Sequence, residues 1–484
     1  MRKIKCFELK KTKSIYPNFD SFISLDENLI KTIKVKGIWS ENNLFIKFNS
    51  SEIEAIKKEN FDILLRCGSG ILKGKILTTP KFGILSFHHG DNRVNRGGPP
   101  GFWEVLNKEV TSGFVIQQLS SELDGGKVLF RGNIRTSKFW LLNYAFLLEK
   151  SHVFMINLLI KIQKEKKLFF EDDIYLHHNP LYKLNQNPFL LIKYIYKIYG
   201  PLFLKKLKNI FSENTVPRWS IGYCKNTGLN TSLFRYKEIE NPPGRFFADP
   251  FVITINGNSI CFVEDYFYSD RKGRISAIEL NGDNYEFKGI VLEENFHLSY
   301  PFIVKDEDDI YMIPECNNSN EIRLYKCKNF PMEWEFETTL MDNVSASDTS
   351  IMKKNNLWYM FTNICSAKIG DHLSELHIFY SEKLNTKNWK PLKLNNPIIF
   401  DSSRARNAGM FKINDKIIRV NQKHDKFYGS SFVLNKVIEL SPEKYFEAPM
   451  DNVYPNFKNN ILATHHFHLD DNYSVIDFMR LSEI

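Results

Sequence analysis

The stretch ADPFVITINGNSICFVED, residues 248–265, decides how the larger part of this chain is read. An apolar run ends at the turn Asn256-Gly257-Asn258, and a second apolar run follows. Short β-type runs alternating with Asn/Asp/Gly/Ser turns, without helical stretches between them, argue for an all-β domain. The opening then recurs as SYPFIV at 299–304, SDTSIM at 347–352, NAGMFK at 407–412 and THHFHL at 464–469. With Pro250, Pro301, Thr349, Ala408 and Thr464 taken as equivalent, the spacings are 51, 48, 59 and 56 residues. Second strands follow most anchors: ICFVED at 260–265, DIYMIPEC at 309–316, NLWYMFTN at 356–363 and KIIRVNQ at 416–422. GRISAIEL, EIRLYKC and LHIFYSE read as third strands. A period near 50 with about four strands per unit is propeller arithmetic. Five units predict a five-bladed β-propeller over residues 217–484. A generic β-sandwich is the alternative for the same strands.

Two further parts precede it. Residues 136–216 are rich in Leu, Ile, Phe and Lys, and FWLLNYAFLLEKSHVFMINLLIKI repeats its apolar residues at helical spacing. This segment is either a connector packed between domains or a basic amphipathic element on a membrane surface. The second reading rests on 186–211, with lysines at 193, 197, 205, 206 and 208. Residues 1–135 mix short strand-like runs with Gly-rich turns.

Composition narrows the classes. The chain has 484 residues, 43% apolar and 14% aromatic, enough for several folded cores. Its net charge of +9 is mild for that length, and no helix-turn-helix, zinc-finger or RNP-like pattern is present, so no nucleic-acid partner is expected. Seven scattered cysteines form no CxxC pair. That disfavours a disulfide framework or a metal site and fits a reducing, cytoplasmic setting. MRKIKCFELKKTKS lacks the apolar core of a signal peptide, and no run has the ~18 uncharged apolar residues of a spanning helix.

The strongest chemical motif lies in 62–129. A strand-like Asp62-Ile-Leu-Leu-Arg66 and the turn Cys67-Gly-Ser-Gly70 lead to FGILSFHHGDNRVNRGGPPGFWEVLN, and later to LSSELDGGKVLF. This stretch resembles the catalytic half of the folate-dependent formyltransferases. The family shows a strand ending in Asn-x-His, an Arg-Gly turn before a helix, and a Leu-Asp-x-Gly segment. The resemblance puts His88 at the catalytic histidine and Arg96-Gly97 at the turn. It puts Phe102 to Leu106 on the helix and Asp124-Gly125-Gly126 in the aspartate loop. Ser86 stands where the family has asparagine, and the family's opening strand, Gly-rich turn and helix have no clear equivalent here. The implied chemistry is attack of a neutral amine on the formyl carbon of N10-formyltetrahydrofolate. His88 would stabilise the oxyanion or act as acid, Asp124 would accept the proton, and Ser86 would donate a hydrogen bond. No metal is implied. His89, Asp91, Asn92 and Arg93 replace an apolar stretch of the family, either to recognise another acceptor or as a solvated loop.

The repeat region is similar to the propeller-like domain that precedes the transferase domain of plant glucosamine inositolphosphorylceramide transferases. More loosely it resembles the five-bladed propellers of glycoside hydrolase family 43. By that resemblance, acidic residues of the innermost strands converge on a funnel, with Asp249, Glu264, Glu315 and Asp348 as candidates and Arg406 as a partner. Asp249 and Asp348 are equally readable as turn caps. Trp358, Tyr359 and Tyr380 are either sugar-stacking surfaces or core.

The fold expected is thus multidomain, α/β plus all-β. It comprises an abbreviated Rossmann-like formyltransferase domain (1–135), a helical connector (136–216) and a five-bladed propeller (217–484). The function expected is N-formylation of an amino sugar on a surface glycan or glycolipid precursor, with the propeller binding the glycan. The alternatives are a degenerate glycan-binding scaffold and a propeller glycosidase or glycosyl-transferring enzyme.

Overall fold

The computed structural model describes residues 2–19, 21, 31–68, 70–94, 96–121, 125–171, 181–183, 188–204, 215–226, 228–229, 232–393, 396–424 and 427–482. The chain divides into two compact units: Met1–Lys205 with Ser366–Gly370, and Lys206–Cys365 with Asp371–Ile484.

Among the described residues, the second unit holds five antiparallel sheets. Sheet one runs Arg245–Ile255, Asn258–Phe267, Lys272–Asn281, Asn284–Leu292. Sheet two runs Ser299–Asp306, Asp309–Glu315, Glu321–Asn329, Glu333–Asp342. Sheet three runs Ala346–Lys354, Leu357–Ile364, Glu375–Ser381, Lys390–Pro391, with Ile399–Phe400 also on its third strand. Sheet four runs Asn407–Ile413, Lys416–Lys423, Ser431–Leu440, Tyr445–Val453. Each innermost strand touches the next, and Phe467–Leu469 of sheet five touches the first, so the five form a ring. The predicted anchors fall on these innermost strands, one per sheet.

Sheet five is built from both ends of the unit. Its strands are Phe467–Leu469, Tyr473–Ser482, Val216–Lys225 and Lys237–Ile239. Val216–Lys225 pairs with Tyr473–Ser482 along its whole length, from Val216↔Ser482 to Lys225↔Tyr473.

The core lies between successive sheets. Ile260, Phe262, Ala277, Met312 and Tyr325 fill the gap between sheets one and two. Phe411, Val420, Phe432 and Phe467 do so between four and five. Burial of each large side chain contributes roughly 1.5–3 kcal/mol. Trp358 and Tyr359 are buried in this core and Tyr380 packs against it, so of their two readings the core one holds.

The first unit is mixed. Its main sheet runs Leu64–Arg66, Ile84–His88, Thr111–Gln118, Lys127–Arg135. The first pair is parallel and the other two antiparallel. The described residues do not lay out the parallel sheet of a Rossmann-like domain. The link from 88 to 111 returns the chain antiparallel instead of crossing over the sheet.

Among the described residues, five α-helices accompany the sheet. α1 (Arg2–Ile15) was not legible, because RKIKCFELKKTKSI has few apolar residues. Its buried Glu8 holds it in place, accepting from Tyr194 Oη at 2.7 Å, Tyr199 Oη at 2.9 Å and Leu141 N at 3.2 Å. Those bonds compensate the cost of burying a carboxyl group. α2 (Ser50–Lys57) opens with a capping box between Asn49 and Glu52. α3 (Phe102–Asn107) follows Arg96-Gly97, which lies in the short strand Arg96–Gly98 instead of the expected turn. α4 (Trp140–Glu165) is the predicted long helix and lays Phe154 on Phe130 of the sheet, ring centroids 4.7 Å apart. α5 (Pro188–Tyr194) continues helically to residue 204 through a wider turn at Ile195–Tyr199.

Candidate functional site

The innermost strands of sheets one to four share one irregularity. Pairing with the second strand shifts between Ala248 and Phe251, Ser299 and Phe302, Ser347 and Ser350, and Asn407 and Met410. Such bulges re-aim side chains. Three of the bulges hold a non-glycine residue at positive φ: Asp249 at 48°, Tyr300 at 45° and Asp348 at 47°. The fourth holds Gly409 at φ 121°. A left-handed conformation costs L-residues roughly 1–2 kcal/mol, so its repetition at equivalent places marks a constrained centre.

The second strands contribute a matching position. Glu264 pairs with Ala248, Glu315 with Ser299, Asn363 with Ser347 and Asn421 with Asn407. Sheet five supplies Asp477, whose Oδ1 accepts the backbone N–H groups of His465 and His466, both at 2.9 Å.

These residues meet as one buried charged cluster. Arg406 donates to Asp348 through Nε and through Nη2 at 3.1 Å, and Nη2 reaches Glu315 Oε2 at 3.4 Å. Gln422 Nε2 adds a bond to Asp348 at 3.3 Å. His465 Nε2 lies 3.1 Å from Asp249 Oδ1. Its Nδ1 lies 2.9 Å from Asp477 Oδ2, an ion-pair contact without hydrogen-bond alignment. All five candidates read from the sequence for the ring, Asp249, Glu264, Glu315, Asp348 and Arg406, are thus brought together. His465 and Asp477 complete the cluster.

The cluster's protonation follows from burial and charge. Burial opposes a charge on His465, but Asp477 and Asp249 outweigh it and raise its pKa to about 10. Burial would raise Asp249, but His465, then His466 and Arg406, hold it below the usual carboxylate range. Glu264 is pushed well up by burial, then by the charges of Asp249 and Glu315. Asp348 is also raised, by burial and by Glu315, against the pull of Arg406. His297 brackets Glu264: Gly273 N–H donates to His297 Nδ1 at 2.9 Å, leaving Nε2 as the proton-bearing nitrogen, 3.4 Å from Glu264 Oε1. Asp249, His465 and Asp477 offer ligand atoms within 4.8 Å of one another, a spacing a metal ion fits. The raised pKa of His465 means a proton competes for that place. Trp219 packs on His465 at 4.1 Å between ring centroids, and Tyr428, itself stacked on His424, lies 5.8 Å from it.

The first unit carries a separate cavity of about 160 Å³ lined by Arg66, Ser86, His88, Gln117, Ser120 and Gly126. It brings the predicted Ser86, His88 and Gly126 to one place. Ser86 Oγ donates to the Phe87 carbonyl at 3.2 Å. A Cβ on Gly126 would come 2.5 Å from Gln118 O, so the loop approaches the sheet as only glycine permits. Gly125 accepts from Ser120 Oγ at 3.1 Å. Gly97 has φ 104° in the strand Arg96–Gly98, which pairs with Leu181–Lys183. Asp124 and the Arg96 side chain lie outside the described residues.

The polar segment after His88 is not a solvated loop. His89 Nε2 meets Ser151 Oγ at 2.9 Å on α4, and burial, then His152 and His88, lower its pKa to about 4. Asp91 and Asn92 are buried. Asp91 takes Arg93 Nη2 at 2.6 Å and Arg131 Nη1 at 2.7 Å, and Arg131 also reaches Asn92. Burial would raise Asp91, but the two arginines keep it low.

Comparison with known proteins places the larger unit. The family described as "Glucosamine inositolphosphorylceramide transferase 1, N-terminal" matches residues 231–472, half of the chain. The chain belongs to this family. A rice (Oryza sativa subsp. japonica) glucosamine inositolphosphorylceramide transferase 1 is 35% identical over 213 residues, 43% of this chain and 28% of the relative. The chain therefore spans little more than a quarter of that relative's length. A methionyl-tRNA formyltransferase of Ureaplasma parvum is 24% identical over 196 residues, 37% of this chain and 63% of that protein. Among solved structures, the GH62 α-L-arabinofuranosidase catalytic domain of Coprinopsis cinerea covers 54% of this chain and 98% of its own, at 11% identity and TM-score 0.39.

Proposed function

We propose that this chain is a two-module transferase that modifies a glycan or glycolipid precursor. The first unit would N-formylate an amino sugar, drawing the formyl group from N10-formyltetrahydrofolate. The ring of five sheets is read as a five-bladed β-propeller that holds the glycan in its charged centre. The observation that carries the first part is the cavity joining Ser86, His88, Gln117 and Gly126. An imidazole and an amide bordering one cavity suit a reaction in which charge develops on a formyl oxygen. The folate supplies an activated formyl carbon. His88 is assigned to the developing oxyanion and Asp124 to the proton the amine loses. The rice relative carries inositolphosphorylceramide in its name, and a glycolipid headgroup is the acceptor class assigned here. Two sites on one chain raise the effective concentration of a bound acceptor.

The test is transfer of labelled formyl from N10-formyltetrahydrofolate to a panel of nucleotide- and lipid-linked amino sugars. The wild type transfers label, and His88→Ala loses it by roughly a hundredfold or more. Full activity in His88→Ala removes the assignment.

A second reading is favoured by the ring centre. Glu264 is pushed well above the usual carboxylate range and its neighbour Asp249 is held below it, the division expected of an acid and a base or nucleophile at a sugar. Under it, the ring itself cleaves or transfers glycosyl groups. Glu264→Gln and Asp249→Asn would then abolish turnover while glycan binding persists.

A further inference from the structure

The helical segment 188–204 faces two environments, and both of its faces are apolar. Its inner face carries the buried Tyr194 with Leu190, Ile198 and Tyr199, packed against Phe102, Trp103 and Trp140. Its outer face carries Phe189, Ile192, Tyr196, Phe203 and Leu204, exposed by 74, 59, 78, 64 and 65%. These five side chains are more than half exposed, whereas those of the packed stripe are buried or half-buried. Large apolar side chains exposed to this extent along one helical segment make a docking face.

Charge selects the occupant. Lys193 and Lys197 stand on the same helical segment, within the run that carries the exposed side chains. Residues 174–212 contain six lysines and no aspartate or glutamate. A second copy of the same face would bring like charges together. A surface of anionic headgroups complements them, with lysine stems lying along the apolar layer and ammonium groups reaching outward. We propose that residues 188–204 seat this protein on an anionic lipid surface, with Phe189, Ile192, Tyr196, Phe203 and Leu204 entering the headgroup–acyl boundary. Attachment of this kind brings the chain to lipid-linked acceptors without a spanning helix. It stands independently of the chemistry assigned above.

The test is sedimentation of the full chain with phosphatidylcholine vesicles, with and without phosphatidylserine, at low and high salt. The wild type binds phosphatidylserine vesicles, at least roughly tenfold better than neutral ones, and salt weakens that preference. Lys193→Gln with Lys197→Gln reduces the preference, and Phe189→Ser with Tyr196→Ser and Phe203→Ser abolishes binding. Thermal unfolding checks that each variant is folded. If the triple variant is not, Tyr196→Ser alone, at the most exposed position, replaces it and weakens binding measurably. Three results overturn the proposal: no wild-type binding to either vesicle, wild-type binding by the apolar variant, or a dimer that the apolar variant converts to monomer with vesicles unbound throughout.

Discussion

His465 Nε2 stands 3.1 Å from Asp249 Oδ1, and this contact joins the innermost strand of sheet one to the chain segment that enters sheet five. Asp249 is turned toward it by a positive φ, and Asp477 holds the other side of the imidazole. The ring's charge balance therefore depends on one histidine remaining protonated.

His465→Gln should destabilise the protein by about 3–5 kcal/mol near neutral pH, because it leaves two buried carboxylates without their cation. The sign with pH follows from the raised folded value of about 10. The contribution is fully present below the unfolded value near 6.5 and is lost as pH rises through about 10. Denaturant unfolding at pH 7 and pH 10 should show the gap between wild type and variant closing.

His466 and His468 behave in the opposite sense. Burial first, and for His466 also the charge of His465, lowers both to about 3. Their contribution is present above the unfolded value near 6.5 and is lost as pH falls toward 3, at up to roughly 1.4 kcal/mol per pH unit for each histidine. The unfolding midpoint should fall steeply between pH 6.5 and 4, and His468→Gln should make that fall shallower.

Glu264→Gln should leave stability at pH 7 within about 1 kcal/mol of wild type, because burial and the charges of Asp249 and Glu315 push this carboxyl well above the usual carboxylate range and so toward the neutral form that the amide mimics. Arg406→Gln is the contrast. It leaves Asp348 and Glu315 without a shared cation and should cost about 3–5 kcal/mol. Thermal unfolding of the two variants side by side decides the point.

Gly409→Ala should cost about 3 kcal/mol or more. A Cβ there would sit 2.1 Å from the Phe467 carbonyl oxygen, at a φ of 121°. Backbone, not a flexible side chain, is in the way, so relaxation must move the innermost strand of sheet five. Reduced yield or a lowered unfolding midpoint would register the change.

The repeat was readable because each anchor combines an apolar strand with the residue that its bulge turns inward, as in Asp249-Pro250 and Tyr300-Pro301. The ring candidates were legible for the same reason. Asp477 was not, since it lies on a second strand and no anchor marks it. Extending the repeat to second strands would have exposed it, because it takes the place held by Glu264 and Glu315 in sheets one and two. His465 lies in the anchor THHFHL but is not acidic, so a pattern of converging carboxylates does not mark it. In the first unit the strand ending at His88 and helices α3 and α4 follow local patterning. α1 escaped because it is held by Glu8 meeting two tyrosines almost two hundred residues away, a tertiary fact without local periodicity. Asp91 and Asn92 read as surface residues, yet Arg131 on a neighbouring strand draws them inside.

The pairing of Val216–Lys225 with Tyr473–Ser482 also bears on biosynthesis. Sheets one to four can each form as a local meander while the chain emerges, but the fifth must wait for a strand made some 250 residues after its partner. Until then Val216–Lys225 is an unpaired edge. A nascent chain stalled before Tyr473 should therefore be a target for chaperones or proteases, although four of its five sheets have already formed.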